Sequence, residues 1–562
     1  MNKKTFTVGL DFGTLSCRAV LTDTANGAIA AEESMSYPHG VLEEYLPDGT
    51  PLKGSWALQH PGDYTDVLTA LVPALLKNAG VDSGAVVGIG IDFTASTVVP
   101  LDKAYVPLCL RDAFSSRPHA WVKLWKHHGA SSEAEELTKI CKEQGRPYLD
   151  WYGGRISSEC LLAKVLQIYR EDREVFDAAD CFVEAGDYIS SLLAGEPVFG
   201  LPAAAAKAFW SKEGYPDGDF FAAAEPGLRN LPKEKLMEHF PNRRCGYAGE
   251  RVGSLCPKMA ETLGLPAGIA VAAPQMDAYA AVPGLGITES GTVLMVIGTS
   301  NAILLMNKRF QNVEGVTACL PDTYYPGLYG YGSGQASVGD TFQWFLDNFL
   351  PNSYRDAAEA AGISVHEYLS ALASEMRPGQ TGLLALDWFN GNRSCLANSR
   401  LSGMILGLRL DTKPEHIYRT LLEATAFGIR TILEAYRSGN VPVREVVACG
   451  GVAVKNSVLM QMCADVLEMP IHVSHCKQAP ALGASIQAAA AAHACGYANL
   501  MEAAEAMGNR TKRTYMPNPE KSKAYDLLYH EYCCLSDYFG RGTNPVMEKL
   551  MSLSIEKRKS NA

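Results

Sequence analysis

The stretch Thr7-Val8-Gly9-Leu10-Asp11-Phe12-Gly13-Thr14 is echoed further on by Gly88-Ile89-Gly90-Ile91-Asp92-Phe93-Thr94-Ala95-Ser96-Thr97. In both, an apolar run with the character of a buried strand stops at a carboxylate, and small or hydroxylated residues then turn the chain. Glycine lets a backbone approach a ligand closely, and successive amides and hydroxyls in a turn cradle anions. A carboxylate at the carboxyl end of a strand beside such a turn suits a metal–phosphate complex or a polyol. A plain turn-opening aspartate is the competing reading of either copy alone.

Working outward, Cys17 to Leu21 alternates and ends at the Asp23–Gly27 turn, which predicts a hairpin with the opening strand. Val67, Leu68, Leu71, Val72, Leu75 and Leu76 keep helical spacing within 62–78, and Val86 to Ile91 reads as the next core strand. Trp121, Leu124 and Trp125 predict a second helix over 118–128, and 157–169 a third. Gly268 to Ala273 is a further buried strand, followed by Asp277 and a small-residue helix over 278–282. The pattern then restarts: Thr292 to Ile297 runs into Gly298-Thr299-Ser300, and Ala302 to Met306 completes a second hairpin. Val446 to Cys449 ends in Gly450-Gly451 before a helix over 457–467, and an Ala-rich helix begins near Ala479. This internal echo predicts an α/β protein with two similar halves, a nucleotide-holding cleft between them and a domain switch near Gly284 to Gly291.

The 562 residues exceed what one hydrophobic core organises, and 47% hydrophobic with 20% charged residues describes a globular chain. A net charge of −11 without a basic stripe argues against nucleic acid or an anionic membrane surface as partner. Met1 to Lys4 leads into the first strand without a signal-peptide core, so a cytoplasmic location is expected. The 15 cysteines show no paired metal-site spacing and read as reduced core residues. The run 482–494 is too short to span a bilayer.

Neither a GxxxxGK[ST] loop nor a protein-kinase catalytic loop is present. The combination that is present resembles the FGGY family of carbohydrate kinases from Val8 to about Gly542. The resemblance is carried by Trp56-Ala57-Leu58-Gln59-His60-Pro61, Ile91 to Ala95, Pro118 to His128, Leu386-Asp387-Trp388-Phe389-Asn390-Gly391-Asn392-Arg393, and a second signature between Gly403 and Glu423. It implies two actin-like, ribonuclease-H-like ATPase domains: a sugar-binding domain over 1–285, a nucleotide-binding domain over 286–500 and a helical extension over 501–562. It implies ATP and Mg²⁺, a small sugar as acceptor, and a homodimer. Asp277 takes the position of the general base that accepts the sugar hydroxyl proton. Asp11 would orient Mg²⁺, directly or through water, with Gly13 and Thr14 donating to phosphates. Gly298, Thr299 and Ser300 would do the same, and Gly450, Gly451 and Asn456 would wall the adenosine. Ala95, Asp92, Lys207 and Asp277 would line the sugar. Two stretches depart from the family pattern: a glutamate usual two residues before Gly334-Gln335 is Gly332 here, and Pro202 to Ala206 replaces a more polar run.

Overall fold

The computed structural model describes residues 4–510 and 512–560. The chain gathers into two compact units. The first takes the sequence up to Thr288 with Leu320–Gly330 and Gln478–Arg510; the second takes Glu289–Cys319, Tyr331–Lys477 and the described residues from 512 on.

In the first unit, β1 (Phe6–Phe12) and β2 (Ser16–Asp23) form the expected hairpin, extended by β3 (Ile29–Ser36). After β4 (Leu58–Gln59), α1 (Pro61–Ala79) follows its predicted spacing and stops at Gly80, which takes the left-handed conformation at φ 62°. Next come β5 (Val86–Phe93), β6 (Val98–Leu101), β7 (Val122–Lys123), α2 (Leu161–Glu171), β8 (Cys181–Glu184), α3 (Ala185–Ala194) and α4 (Leu201–Ala208). The unit continues through β9 (Arg251–Ser254), β10 (Ala270–Ala272), β11 (Gln275–Met276) and α5 (Asp277–Gly284). The main sheet has the order β9-β10-β5-β1-β2-β3, with β11 also pairing β5. β1 runs parallel to β5 and antiparallel to β2.

The second unit repeats that arrangement. Its β12 (Thr292–Ile297) pairs antiparallel with β13 (Asn301–Asn307) and parallel with β15 (Glu445–Cys449), and β14 (Tyr329–Gln335) flanks β13. Beyond β15 lie β16 (Ile471–Ser474) and β17 (Lys512–Tyr515). The helix over 457–467 is found as read, at Ser457–Leu467.

Two expectations need correction. Residues 118–128 are not an α-helix: Pro118–Ala120 is a short 3₁₀ turn and Val122–Lys123 is β7, in a four-stranded sheet ordered β4-β7-β6-β8. Trp121, Val122, Lys123 and Leu124 are all buried, so the segment has no solvent face to match an amphipathic helix, and strand pairing overrides the spacing. The chain halves also interleave more than a cut at 285/286 suggests. The Ala-rich helix α6 (Ala479–Ala491) packs in the first unit, against β1, β5 and α5. The segment beyond 501 is mostly helical, as in Pro519–Gly540, but contributes β17 to the second sheet.

Small residues explain that docking. A Cβ on Gly9 would lie 2.0 Å from the Ala481 carbonyl, and one on Gly90 2.1 Å from that of Ala484. Glycine on the strands and alanine on α6 bring backbone against backbone. This close seam fixes β1 and β5, and hence the two carboxylates at their ends.

Candidate active site

The register of the first unit's sheet aligns the candidate acids. Asp11 on β1 is the partner of Asp92 on β5, and Asp92 is the partner of Gln275 on β11. Two residues beyond Gln275, Asp277 opens α5 as its first residue; Met276, not Asp277, is the N-cap. Asp277 Oδ1 accepts the Ala278 N–H at 2.7 Å.

Three carboxyl groups share this strand-end region with little positive charge. Asp11 is buried and accepts from Arg18 Nη1 at 2.9 Å across the hairpin. Asp92 is fully buried, and among the described residues neither of its oxygens meets a conventional donor. Desolvation, then the charges of Asp11 and Asp277, push its pKa well above the usual carboxylate range. Burial and the two neighbouring acids thus favour the protonated form of Asp92. The Asp277 carboxyl is pushed up to about 7, first by burial and then by Asp11; the Ala278 N–H, Lys207 and Arg18 oppose the rise. A carboxylate poised near neutrality is suited to accept and release a proton.

Lys207 sits in the last turn of α4 and pairs with Glu159 Oε2 at 3.1 Å. Its charge is felt by Asp277. Ala95 is half-buried in the turn after β5. Gly13 N–H closes onto Ser16 O at 3.0 Å. Thr14 is held at both ends: Trp125 Nε1 donates to its hydroxyl at 3.2 Å and Gln59 Nε2 to its carbonyl at 2.6 Å. The first unit thus brings Asp11, Asp92 and Asp277 within electrostatic reach of one another, and Lys207 within reach of Asp277.

The second unit presents its own turns. Gly298 N–H donates to Ser300 O at 2.8 Å, and Gly339 N–H returns to Gly298 O at 3.0 Å, with Thr299 exposed at the tip. Gly450 has φ 95°, and a Cβ there would meet Ile297 O at 2.5 Å, so only glycine fits. Nothing lies within 4 Å of where a Gly451 Cβ would be, which leaves room for a ligand. Asn456 caps the following helix, its Oδ1 accepting Leu459 N–H at 2.9 Å.

Sequence reasoning missed Arg18, Glu159, Gln59 and Gln275. Arg18 was legible in principle, because hairpin register sets it opposite Asp11. The others depend on chain crossings that no local pattern encodes.

A parallel-centred sheet duplicated in two units, with three strand-end carboxyl groups in the first and glycine-rich turns in the second, is the architecture of a carbohydrate kinase, a phosphotransferase acting on a sugar hydroxyl. Residues 6–284 match the FGGY family of carbohydrate kinases, N-terminal domain, and residues 293–492 match its C-terminal domain; the chain belongs to this family. It is 47% identical over 554 residues to a ribulokinase of Shouchella clausii, covering 98% of each chain. It is likewise 47% identical over 561 residues to a ribulokinase of Halalkalibacterium halodurans, covering 99% of each. Its fold is that of a xylulose kinase from Rhodospirillum rubrum, with a TM-score of 0.77 over 95% of this chain and 98% of that one at 24% identity. The family makes ATP the phosphoryl donor.

Proposed function

We propose that the protein is a ribulokinase that transfers the γ-phosphoryl group of ATP to the terminal hydroxyl of L-ribulose, giving L-ribulose 5-phosphate, as the kinase step of L-arabinose breakdown in the cytoplasm. The observation that carries the chemistry is Asp277, held by one N–H and tuned near neutral pH beside Asp11 and Lys207. Its carboxylate accepts the proton of the attacking hydroxyl, and Lys207 and the Ala95 backbone orient the sugar. Gly298, Thr299, Ser300, Gly450, Gly451 and Asn456 bind the nucleotide. The full-length likeness to ribulokinases supports this acceptor over D-ribulose, xylulose or ribitol, and over a non-catalytic sensor.

The donor set fits Mg²⁺. Asp11 offers a buried carboxylate, with the carboxyl groups of Asp92 and Asp277 close enough to feel its charge, and hard oxygen donors of this kind suit a divalent cation. Asp11 would hold the ion directly or through water, and when bound it neutralises phosphate charge. A homodimer is the assembly expected from the family.

ADP release measured with Mg-ATP against L-ribulose, D-ribulose, L- and D-xylulose, ribitol and arabitol, with Asp277→Asn as control, tests this reading. Turnover led by L-ribulose and lost in the variant supports it; turnover led by another sugar refutes the acceptor, and no turnover refutes the kinase.

A further inference from the structure

Between the ends of β5 and β6, Thr94–Thr97 forms a four-residue turn directly after Phe93, the residue that follows Asp92. It is buried except at half-buried Ala95, and Ser96 holds a left-handed backbone at φ 61° without being glycine. Such a residue persists only where its surroundings over-determine it. Part of that constraint is local: Thr97 Oγ1 donates to Thr94 O at 2.9 Å, and Thr94 N–H donates to Phe12 O at 3.1 Å.

The rest comes from two buried charged side chains that have no part in the proton transfer. Lys164, on α2, donates to Ser96 O at 2.5 Å and to Leu124 O at 2.7 Å. Glu184, the last residue of β8, accepts Thr97 N–H at 2.9 Å, and the adjacent Ala185 N–H donates to Thr97 O at 2.7 Å. Lys164 and Glu184 are each other's principal opposite charge, and the charge of Lys207 reaches both. Burying a lysine and a glutamate is costly unless both are compensated, and here one hydrogen bond from each side chain falls on the same turn, Lys164 also reaching Leu124 O while Glu184 Oε1 meets no donor among the described residues.

We infer that Lys164 and Glu184 are positioning residues that lock the 94–97 turn so that the Ala95 backbone meets the sugar, and that they thereby set sugar affinity. This rests on the kinase reading above. A turn displaced by about 1 Å costs on the order of a hundredfold in a positioned reaction.

The test uses the full chain with Lys164→Met, Glu184→Leu and Glu184→Gln, read by steady-state kinetics and by amide hydrogen exchange. The Met and Leu variants should raise KM for L-ribulose roughly ten- to a hundredfold, leave KM for ATP within about twofold, and lose exchange protection at residues 94–97. Glu184→Gln keeps an acceptor for Thr97 N–H and should recover most of the sugar affinity. Should either truncation be insoluble, Lys164→Gln or Glu184→Ala takes its place in the same comparison. Unchanged sugar KM, or equal rises in both KM values, overturns the inference. A wild type inert toward every sugar instead overturns the kinase reading. In that case protection retained at 94–97 in the variants overturns the clamp as well.

Discussion

Asp277→Asn should make the protein more stable while nearly abolishing its activity. A carboxyl whose pKa rises on folding from 3.8 to about 7 binds its proton more tightly in the folded state. Folding is then penalised once the unfolded state loses that proton. The penalty starts near pH 4, grows with pH, and is complete above about pH 7, the reverse of the usual paired carboxylate. At 1.36 kcal/mol per unit, the rise corresponds to about 4 kcal/mol at most. Because the residue is only half-buried, water and local relaxation reduce this, and about 2–4 kcal/mol is the working range at pH 8. Asparagine is neutral at every pH and retains an oxygen for the Ala278 N–H. Its stabilisation at pH 5.5 should be about half that at pH 8. Urea denaturation of wild type and variant at both pH values, followed by a probe in the first unit, measures the difference. Equal stabilisation at the two pH values, or destabilisation at pH 8, refutes a raised Asp277 pKa. The same variant should lower kcat by about 10²- to 10⁴-fold.

The wild-type kcat/KM for sugar should fall about tenfold per pH unit on the acid side of about pH 7, as Asp277 takes up its proton; a profile flat from pH 5.5 to 8 excludes it as the base. Gly90→Ala should lower the melting temperature by several degrees or prevent folding, because its Cβ would lie 2.1 Å from the Ala484 carbonyl. Gly451→Ala meets nothing within 4 Å and should leave the melting temperature unchanged while raising KM for ATP; calorimetry and kinetics on both variants separate packing glycine from ligand glycine. Gly332→Glu should lower KM for L-ribulose by roughly one decade, and an unaltered KM would show that residue 332 does not meet the sugar. Removal of divalent cations with EDTA should abolish turnover, with restoration by Mg²⁺.

The sequence alone determined the two hairpins, the strands leading to Asp11, Asp92 and Asp277, and the glycine turns at 298 and 450. Each is written in a local code: alternating or continuous apolar runs, then a small polar turn. Tertiary structure decided what those elements meet. Residues 118–128 carry helical spacing yet form a 3₁₀ turn and the short strand β7, because pairing with β4 and β6 outweighs an intrinsic preference of tenths of a kcal/mol per residue. The Ala-rich helix lies late in the sequence but packs beneath β1 and β5, where Gly9 and Gly90 admit its backbone. Asp277 acquires its raised pKa from burial and from Asp11, more than 250 positions away in the chain. The sequence names the three acids, but the fold alone brings Asp11 close enough to raise the pKa of Asp92 and Asp277.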